Sequence, residues 1–312
     1  MKKNIIIYLG SKCNLNCKYC HREKEDDIKL SEDFLRELST FTGEIIFRGG
    51  EPTLYMDDIK TIVFTAKNAS FSMTTNGKLL ELYIDYFRKH NFSISISYDG
   101  NNLRRFDPYT KHINYPVTNT IVLTAGSDIF KILDKFDEKS LIVGSRLELY
   151  PHIAHYTNEY NEQYAMVEED YIRISSQLKD CMKLFVKDFK KYHSINKRYY
   201  GIYKFFNNYY HNNFSFGETV CVNKSTRRVD VTGQDYNCLY IRDQKLDNNW
   251  IETQQNIIRS LSPKCEYCSV YDMCGGGCLK SIYHNKECVF YYDIFTWYKD
   301  FYKKYKSFLD CC

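Results

Sequence analysis

Three cysteines, Cys13, Cys17 and Cys20, form a C-x3-C-x2-C run directly after the apolar stretch Ile5-Ile6-Ile7-Tyr8-Leu9. A strand-like run that delivers three thiolates to one point demands a fold in which a strand end is a ligand site. Three converging thiolates suit a 4Fe-4S cluster: the cube usually takes four cysteines, so a three-cysteine site leaves one iron open to a substrate or cofactor. Zinc is the competing reading, because these cysteines and His21 together supply four ligands for a closed tetrahedral site.

The chain has 312 residues and is 44% hydrophobic, enough to bury one large core or two smaller ones. Its 43 basic and 39 acidic residues balance to +4 with no dense basic tract, which argues against a nucleic-acid partner. Neither a signal peptide nor an apolar run of membrane-spanning length is present, so a cytoplasmic protein with no membrane partner is expected. In that compartment thirteen cysteines point to metal or redox chemistry rather than disulfides.

From residue 4 to 150 short β-like runs alternate with helical patterns, the signature of repeated βα units and a parallel sheet. Six strands are expected, near Ile5-Leu9, Glu44-Phe47, Ser70-Thr74, Phe92-Ser97, Val117-Leu123 and Ser145-Tyr150. Ser31 is placed to cap a helix that buries Phe34, Leu35 and Leu38. Ile59, Ile62, Val63 and Ala66 form one apolar face of the next helix.

The unusual residues fall at strand ends. The cysteine run follows strand one, Arg48-Gly49-Gly50-Glu51-Pro52 strand two, Thr74-Thr75-Asn76-Gly77 strand three, and Ser97-Tyr98-Asp99-Gly100 strand four. In parallel βα architectures the C-terminal strand ends share one face, and that face carries the active site. Gly-Gly, Asn-Gly and Asp-Gly are also ordinary turn dipeptides; it is their joint position that favours a site. Glycines 49 and 50 admit a close ligand, and Glu51 offers a carboxylate to an ammonium group.

The cysteine spacing, with Tyr19 in Cys17-Lys18-Tyr19-Cys20, and the Gly-Gly-Glu-Pro motif resemble the radical S-adenosylmethionine (SAM) enzymes. The resemblance implies a partial (β/α)6 TIM-like barrel and SAM chelated on the open iron. Reductive cleavage of that SAM would give a 5'-deoxyadenosyl radical. It also implies roles. Tyr19 would lie near the adenine, Gly49, Gly50 and Glu51 at the methionyl end, Ser97 at the carboxylate or ribose, and Leu149 over the adenine from the last strand. Arg104 or Arg105 is the nearest match to an arginine that family members often place after the fourth strand's motif.

Further along, Cys221, Gly233, Cys238, Cys265, Cys268, Cys274, Cys278 and Cys288 follow the order Cys-x11-Gly-x4-Cys, gap, Cys-x2-Cys-x5-Cys-x3-Cys, gap, Cys. This resembles the SPASM extension of radical SAM enzymes that modify peptides and proteins, with a zinc ribbon as the competing reading of the paired short spacings. The resemblance implies a small cysteine-rich iron-sulfur domain at the C-terminus and three 4Fe-4S clusters in all. By its pattern Cys221, Cys238 and Cys278 would hold one auxiliary cluster, and Cys265, Cys268, Cys274 and Cys288 another. The first is one ligand short; an open iron is preferred there over a cap from Cys311-Cys312.

The expected organisation is a barrel core over residues 1–151, a helical bridge over 152–217 and a SPASM domain over 218–312. Because the barrel begins almost at the first residue, leader recognition would fall to the barrel face, the bridge or a separate protein. In the bridge, Cys181 and the aromatics Tyr199, Tyr200, Tyr203, Phe205, Phe206, Tyr209 and Tyr210 read first as packing. A hydrogen-donor role for Cys181 and a peptide groove at the aromatics are the alternatives. His152 and His155 could face the site. Leu239 follows Cys238 where sulfatase maturases carry an aspartate, which disfavours that class, and no base is assigned, Asp235 included.

The expected function is a radical SAM oxidoreductase that crosslinks a ribosomally made precursor peptide, with a thioether favoured over C-C or C-O links. A one-electron reductant such as flavodoxin or ferredoxin would serve it. The alternatives are a peptide epimerase, a sulfatase-maturase-like oxidase and a non-catalytic metal-binding module.

Overall fold

The structure, a computed structural model, describes residues 4–20, 28–100, 106–110, 112–144, 147–153, 164–216, 218, 223, 225–236, 249–278 and 284–312. His21, Arg104, Arg105, His155, Cys221, Cys238 and Leu239 lie outside the described residues.

Seven strands build one parallel sheet: β1 (Asn4–Tyr8), β2 (Glu44–Arg48), β3 (Ser70–Thr75), β4 (Ser93–Tyr98), β5 (Val117–Leu123), β6 (Leu149–Ile153) and β7 (Thr226–Asp230). Their order is β6-β5-β4-β3-β2-β1-β7, an open, partial barrel. Helices α1 (Glu32–Leu38), α2 (Met56–Thr65), α3 (Leu80–Lys89) and α4 (Ile129–Val143) follow β1, β2, β3 and β5. Ser31 caps α1 as expected, its hydroxyl accepting from the Phe34 N–H at 3.5 Å, and Phe34 and Leu38 are buried.

The sheet has two unlike faces because side chains alternate along each strand. Ile5, Ile7, Ile45, Phe47, Phe71, Met73, Ile94, Ile96, Ile121 and Leu123 join Phe34, Leu38, Ile59, Ile62, Phe87 and Phe136 of the helices in one apolar core. The other face carries Arg48, Ser72, Thr74, Ser95, Ser97 and Thr120, all half-buried. It forms the inner wall of the barrel. Ser95 and Thr120 hydroxyls meet across it at 3.0 Å.

Two strands differ from expectation. β6 runs Leu149–Ile153 rather than ending at Tyr150, and Pro151 lies within it opposite Ile121. The strand is last in the sheet order, so the proline's missing N–H removes no bond from a further neighbour. The seventh strand, Thr226–Asp230, pairs in parallel with β1, Asn4 opposite Thr226 and Tyr8 opposite Asp230.

The remaining helices are α5 (Glu168–Tyr192), α6 (Lys197–Tyr210), α7 (Trp250–Leu261), α8 (Tyr271–Cys274) and α9 (His284–Leu309). α5, α6 and α9 pack through aromatics: Phe206 stacks on Tyr298 (4.8 Å), Tyr210 on Tyr302 (4.2 Å), Tyr209 on Phe295 (4.9 Å) and Phe185 on Tyr203 (5.1 Å). The aromatic run of the bridge is thus a packing layer. Cys181 is sealed in the same core, and burial, followed by the Asp180 charge, pushes its thiol up to about 12. That thiol lines neither of the two cysteine-bearing pockets described below. Among the described residues no helix is long and apolar enough to cross a membrane.

α6 also docks on β6, and the contact depends on Gly201: a Cβ there would stand 2.4 Å from the Leu149 carbonyl oxygen. Gly201→Ala must push helix and strand apart. We expect a loss of about 1–3 kcal/mol, read as a lower urea midpoint; an unchanged midpoint would contradict this docking.

Candidate metal and cofactor site

The loop after β1 carries the three N-terminal thiols and lies on the loop after β2. Gly50 N–H donates to the Gly10 carbonyl at 2.9 Å, Glu51 N–H to the Lys12 carbonyl at 2.8 Å, and Lys12 N–H to the Tyr55 hydroxyl at 2.7 Å. The two glycines permit this approach. A Cβ on Gly50 would lie 2.2 Å from the Lys12 carbonyl oxygen, and one on Gly49, at φ +148°, would lie 2.7 Å from the Gly10 carbonyl oxygen. The Gly-Gly pair is therefore required by loop-on-loop packing, whatever else its backbone touches.

Glu51 is 1% exposed, and its carboxylate is engaged on both oxygens. Oε1 accepts from Thr53 N–H (3.1 Å), the Thr53 hydroxyl (2.6 Å) and the Thr75 hydroxyl (2.6 Å), while Oε2 accepts from Asn76 N–H (2.7 Å). The open carboxylate expected from the motif is instead mostly occupied, and only Oε2 keeps room for an ammonium donor. Its main work is to tie the loop after β2 to the loop after β3.

These loops surround a cleft open to solvent, lined by Cys13, Leu15, Asn16, Cys17, Cys20, Arg48, Gly49, Gly50, Glu51, Thr74, Thr75, Asn76 and Ser97. Of the residues expected there, Gly49, Gly50, Glu51, Ser97 and all three cysteines line it. Tyr19 is buried beside Cys20 but does not line it. Leu149 differs: it opens β6 opposite Asn119, on the apolar face, and packs in the core toward α6. Tyr150 and His152 are the β6 residues on the inner face. His152 is exposed and does not line the cavity.

Arg48, Thr75 and Asn76 belong to the site, yet the sequence assigned them no role. The available signal was the strict alternation Ser70-Phe71-Ser72-Met73-Thr74 and Ser93-Ile94-Ser95-Ile96-Ser97. Parallel strands covered on both faces read as continuous apolar runs, so alternation announces a polar face.

A second gathering of thiols lies at the start of α9. Cys265, Cys268, Cys274 and Cys288 line a small pocket with Val270, Tyr271, Gly276, Gly277, Glu287 and Tyr292. Cys288 is raised by a hydrogen bond to Cys265, then by burial and by its other thiol neighbours. Burial and the Cys265 and Cys268 charges push Cys274 up to about 12. Four thiolates crowded in this way repel one another, and a bound cationic metal centre relieves that repulsion; the donor set fits such a group. Among the described residues no three His, Cys, Asp or Glu side chains close around a single metal ion. Ligands to separate corners of a cube stand wider apart than ligands to one ion.

Cys278 is half-buried and does not line this cavity. Gly233, at φ +86°, lies in the turn after β7 against the Phe34 ring. Cys311 and Cys312 lie beyond the far end of α9, about 30 Å of helix from Cys288, so they are remote from these thiols. Asp235 is held by Arg227, whose Nε donates to its two oxygens at 3.0 and 3.2 Å, consistent with assigning it no catalytic role.

Glu51→Gln replaces an acceptor oxygen by a donor facing donors. We expect a loss of about 1–3 kcal/mol in stability and a fall in iron bound per chain after anaerobic reconstitution. Thr75→Val removes one of the four donors to the carboxylate, together with the acceptor of the Gly77 N–H, and should lose less of both; equal losses would show that the carboxylate is not the organising group.

Residues 7–146 match the family model described as the Radical SAM superfamily. A "Probable GTP 3',8-cyclase" of Archaeoglobus fulgidus is 36% identical over 104 residues, covering 31% of this chain and 35% of that protein. The radical SAM cyclopropyl synthase TigE of Paramaledivibacter caminithermalis is 28% identical over 149 residues, covering 38% of this chain and 31% of its own. The chain thus spans about a third of the length of these two relatives. Crystal structures of Streptococcus suis SuiB share the fold. The SAM-bound form has a TM-score of 0.56 at 17% identity, covering 91% of this chain and 74% of that one. The form bound to precursor peptide SuiA has a TM-score of 0.56 at 16% identity, covering 91% and 72%.

Proposed function

We propose that this chain, whose residues 7–146 form a radical SAM domain, is a peptide maturase that crosslinks a ribosomally made precursor. The observation that carries the reading is the single cavity shared by Cys13, Cys17, Cys20, Gly49, Gly50 and Ser97 at the C-terminal ends of β1, β2 and β4. The family implies a 4Fe-4S cluster and SAM as its cofactors, which when bound supply a 5'-deoxyadenosyl radical able to take a hydrogen atom from the substrate.

The chain's own residues then have defined tasks. Cys13, Cys17 and Cys20 would hold the cluster, and the docked loops around Gly50 fix the thiols relative to the cavity. The inner hydroxyl wall of Ser72, Thr74, Ser95 and Ser97 offers hydrogen bonds to a polar occupant. Formation of a crosslink removes two hydrogens, one as an atom and one as a proton and an electron. That electron requires an acceptor, and the thiols Cys265, Cys268, Cys274 and Cys288 are suited to hold an auxiliary cluster for it. Cys221, Cys238 and Cys278 are assigned to a second auxiliary cluster on the SPASM pattern. A flavodoxin- or ferredoxin-like reductant supplies the first electron. The SuiB complex with its precursor peptide supports chemistry on peptides. The likeness to the probable GTP 3',8-cyclase of Archaeoglobus fulgidus covers 31% of this chain.

The test is anaerobic co-expression with a short peptide encoded beside the gene, followed by fragment mass spectrometry. A loss of two hydrogens mapped to a linked pair supports crosslinking; an unchanged mass with deuterium uptake from heavy water would replace it with epimerisation. The triple variant of Cys13, Cys17 and Cys20 to alanine should lose deoxyadenosine formation entirely while retaining part of the visible iron-sulfur absorption. Retained cleavage of SAM in that variant would overturn the assignment.

A further inference from the structure

Asn76, in the Thr74-Thr75-Asn76-Gly77 motif, has no task in the reaction as described above, yet it is among the most constrained residues of the site. It is 5% exposed. Its backbone N–H donates to Glu51 Oε2 at 2.7 Å, and its Oδ1 accepts from Lys78 N–H at 2.9 Å. Its Nδ2 donates to Asn14 Oδ1 at 2.7 Å and approaches Cys13 Sγ at 3.9 Å. The turn accounts for the Lys78 contact, since asparagine side chains commonly close such turns. It does not account for the other end of the amide, which points across the cavity at a residue 63 positions earlier. The orientation is unambiguous: a flipped amide would set oxygen against Asn14 Oδ1 and nitrogen against the Lys78 N–H.

We propose that Asn76 is a positioning residue that sets the reduction potential of the cluster held by Cys13, Cys17 and Cys20, by donating its amide N–H to the Cys13 sulfur. This rests on the reading of those cysteines as cluster ligands. Reduction adds negative charge that is shared by the ligand sulfurs, and a donor aimed at one of them stabilises the reduced form more than the oxidised form. Groups beyond the direct ligands commonly tune metal centres in this way. Cys13 Sγ has a second donor, Leu15 N–H at 3.4 Å, but that one belongs to the cysteine loop itself. Asn76 comes from another strand and is held through Glu51. The buried carboxylate therefore sets the amide's reach, and the amide sets how readily the cluster accepts its electron.

The experiment is a redox titration of the reconstituted full-length protein, followed by electron paramagnetic resonance on the signal that changes when SAM is added. Asn76→Ala should lower the midpoint, with the reduced-to-oxidised ratio at fixed potential falling about tenfold, equivalent to 59 mV for one electron. Asn76→Asp keeps the contacts to Glu51 and Lys78 but faces the sulfur with an acceptor, and should fall further. Asn14→Ala frees the amide and should produce a smaller shift of the same sign. Deoxyadenosine formation should slow with a weak reductant and recover with titanium(III) citrate. An unchanged midpoint in an iron-replete Asn76→Ala protein overturns the proposal. If that variant fails to load iron, an unchanged midpoint in Asn14→Ala overturns it instead. Failure of the underlying reading looks different: the wild-type protein would show no SAM-sensitive signal that disappears on Cys13→Ala.

Discussion

The buried carboxylate of Glu51 is the point on which the N-terminal site depends. Taking a carboxylate out of water costs several kcal/mol, and only close, well-directed donors offset that cost. Glu51 has four, from Thr53, Thr75 and Asn76, and each hydrogen bond to a charged acceptor contributes about 1.5–3 kcal/mol. Because the donors come from two different loops, the charge cannot be satisfied unless the ends of β2 and β3 come together. Glu51's own N–H reaches the Lys12 carbonyl, which brings in the cysteine loop as a third member. One ion thus registers three strand ends, and the thiols follow from it.

The C-terminal thiols are organised differently. Cys265, Cys268, Cys274 and Cys288 are set by the short turns around Tyr271–Cys274 and by the first turns of α9, where the buried Glu287 lines the same pocket. Burial raises the proton affinity of Cys274 and the hydrogen bond to Cys265 that of Cys288, with the neighbouring thiols adding to both, and a metal centre bound by the thiolates would offset that cost. The aromatic layer of α5, α6 and α9 provides the rigid base beneath it.

Much of this was legible from residues alone, for identifiable reasons. The βα rhythm, the Ser31 cap and the apolar face of α2 are local patterns, and local patterns survive into the fold. What was missed needed partners remote in sequence. β7 reads Thr-Arg-Arg-Val-Asp, with little apolar content, because it ends the sheet order and its Arg227 is held by Asp235 and Glu37 rather than by a core. The end of β6 was placed too early because Pro151 reads as a strand breaker until its place at the end of the sheet order is known. Leu149 was assigned to the cofactor because position in a strand can be read from sequence more easily than which face the side chain takes. Glu51 illustrates the same limit: its charge was evident, but its four donors were not.

The pairing of β1 with β7 carries a consequence for how the chain is made. β1 lies between β2 and β7, so the first strand of the sheet receives one of its two neighbours only after residue 226 has appeared. Through most of synthesis its outer row of amides and carbonyls is bare, a template for pairing with another nascent chain. Contacts this far apart along a sequence form late and slowly. The cysteine loop hangs from that same strand, so the metal-binding end of the barrel is mechanically finished by the C-terminal third of the polypeptide. A ribosome stalled before that point would hold a chain with every N-terminal thiol in place and its first strand still unpaired on one side.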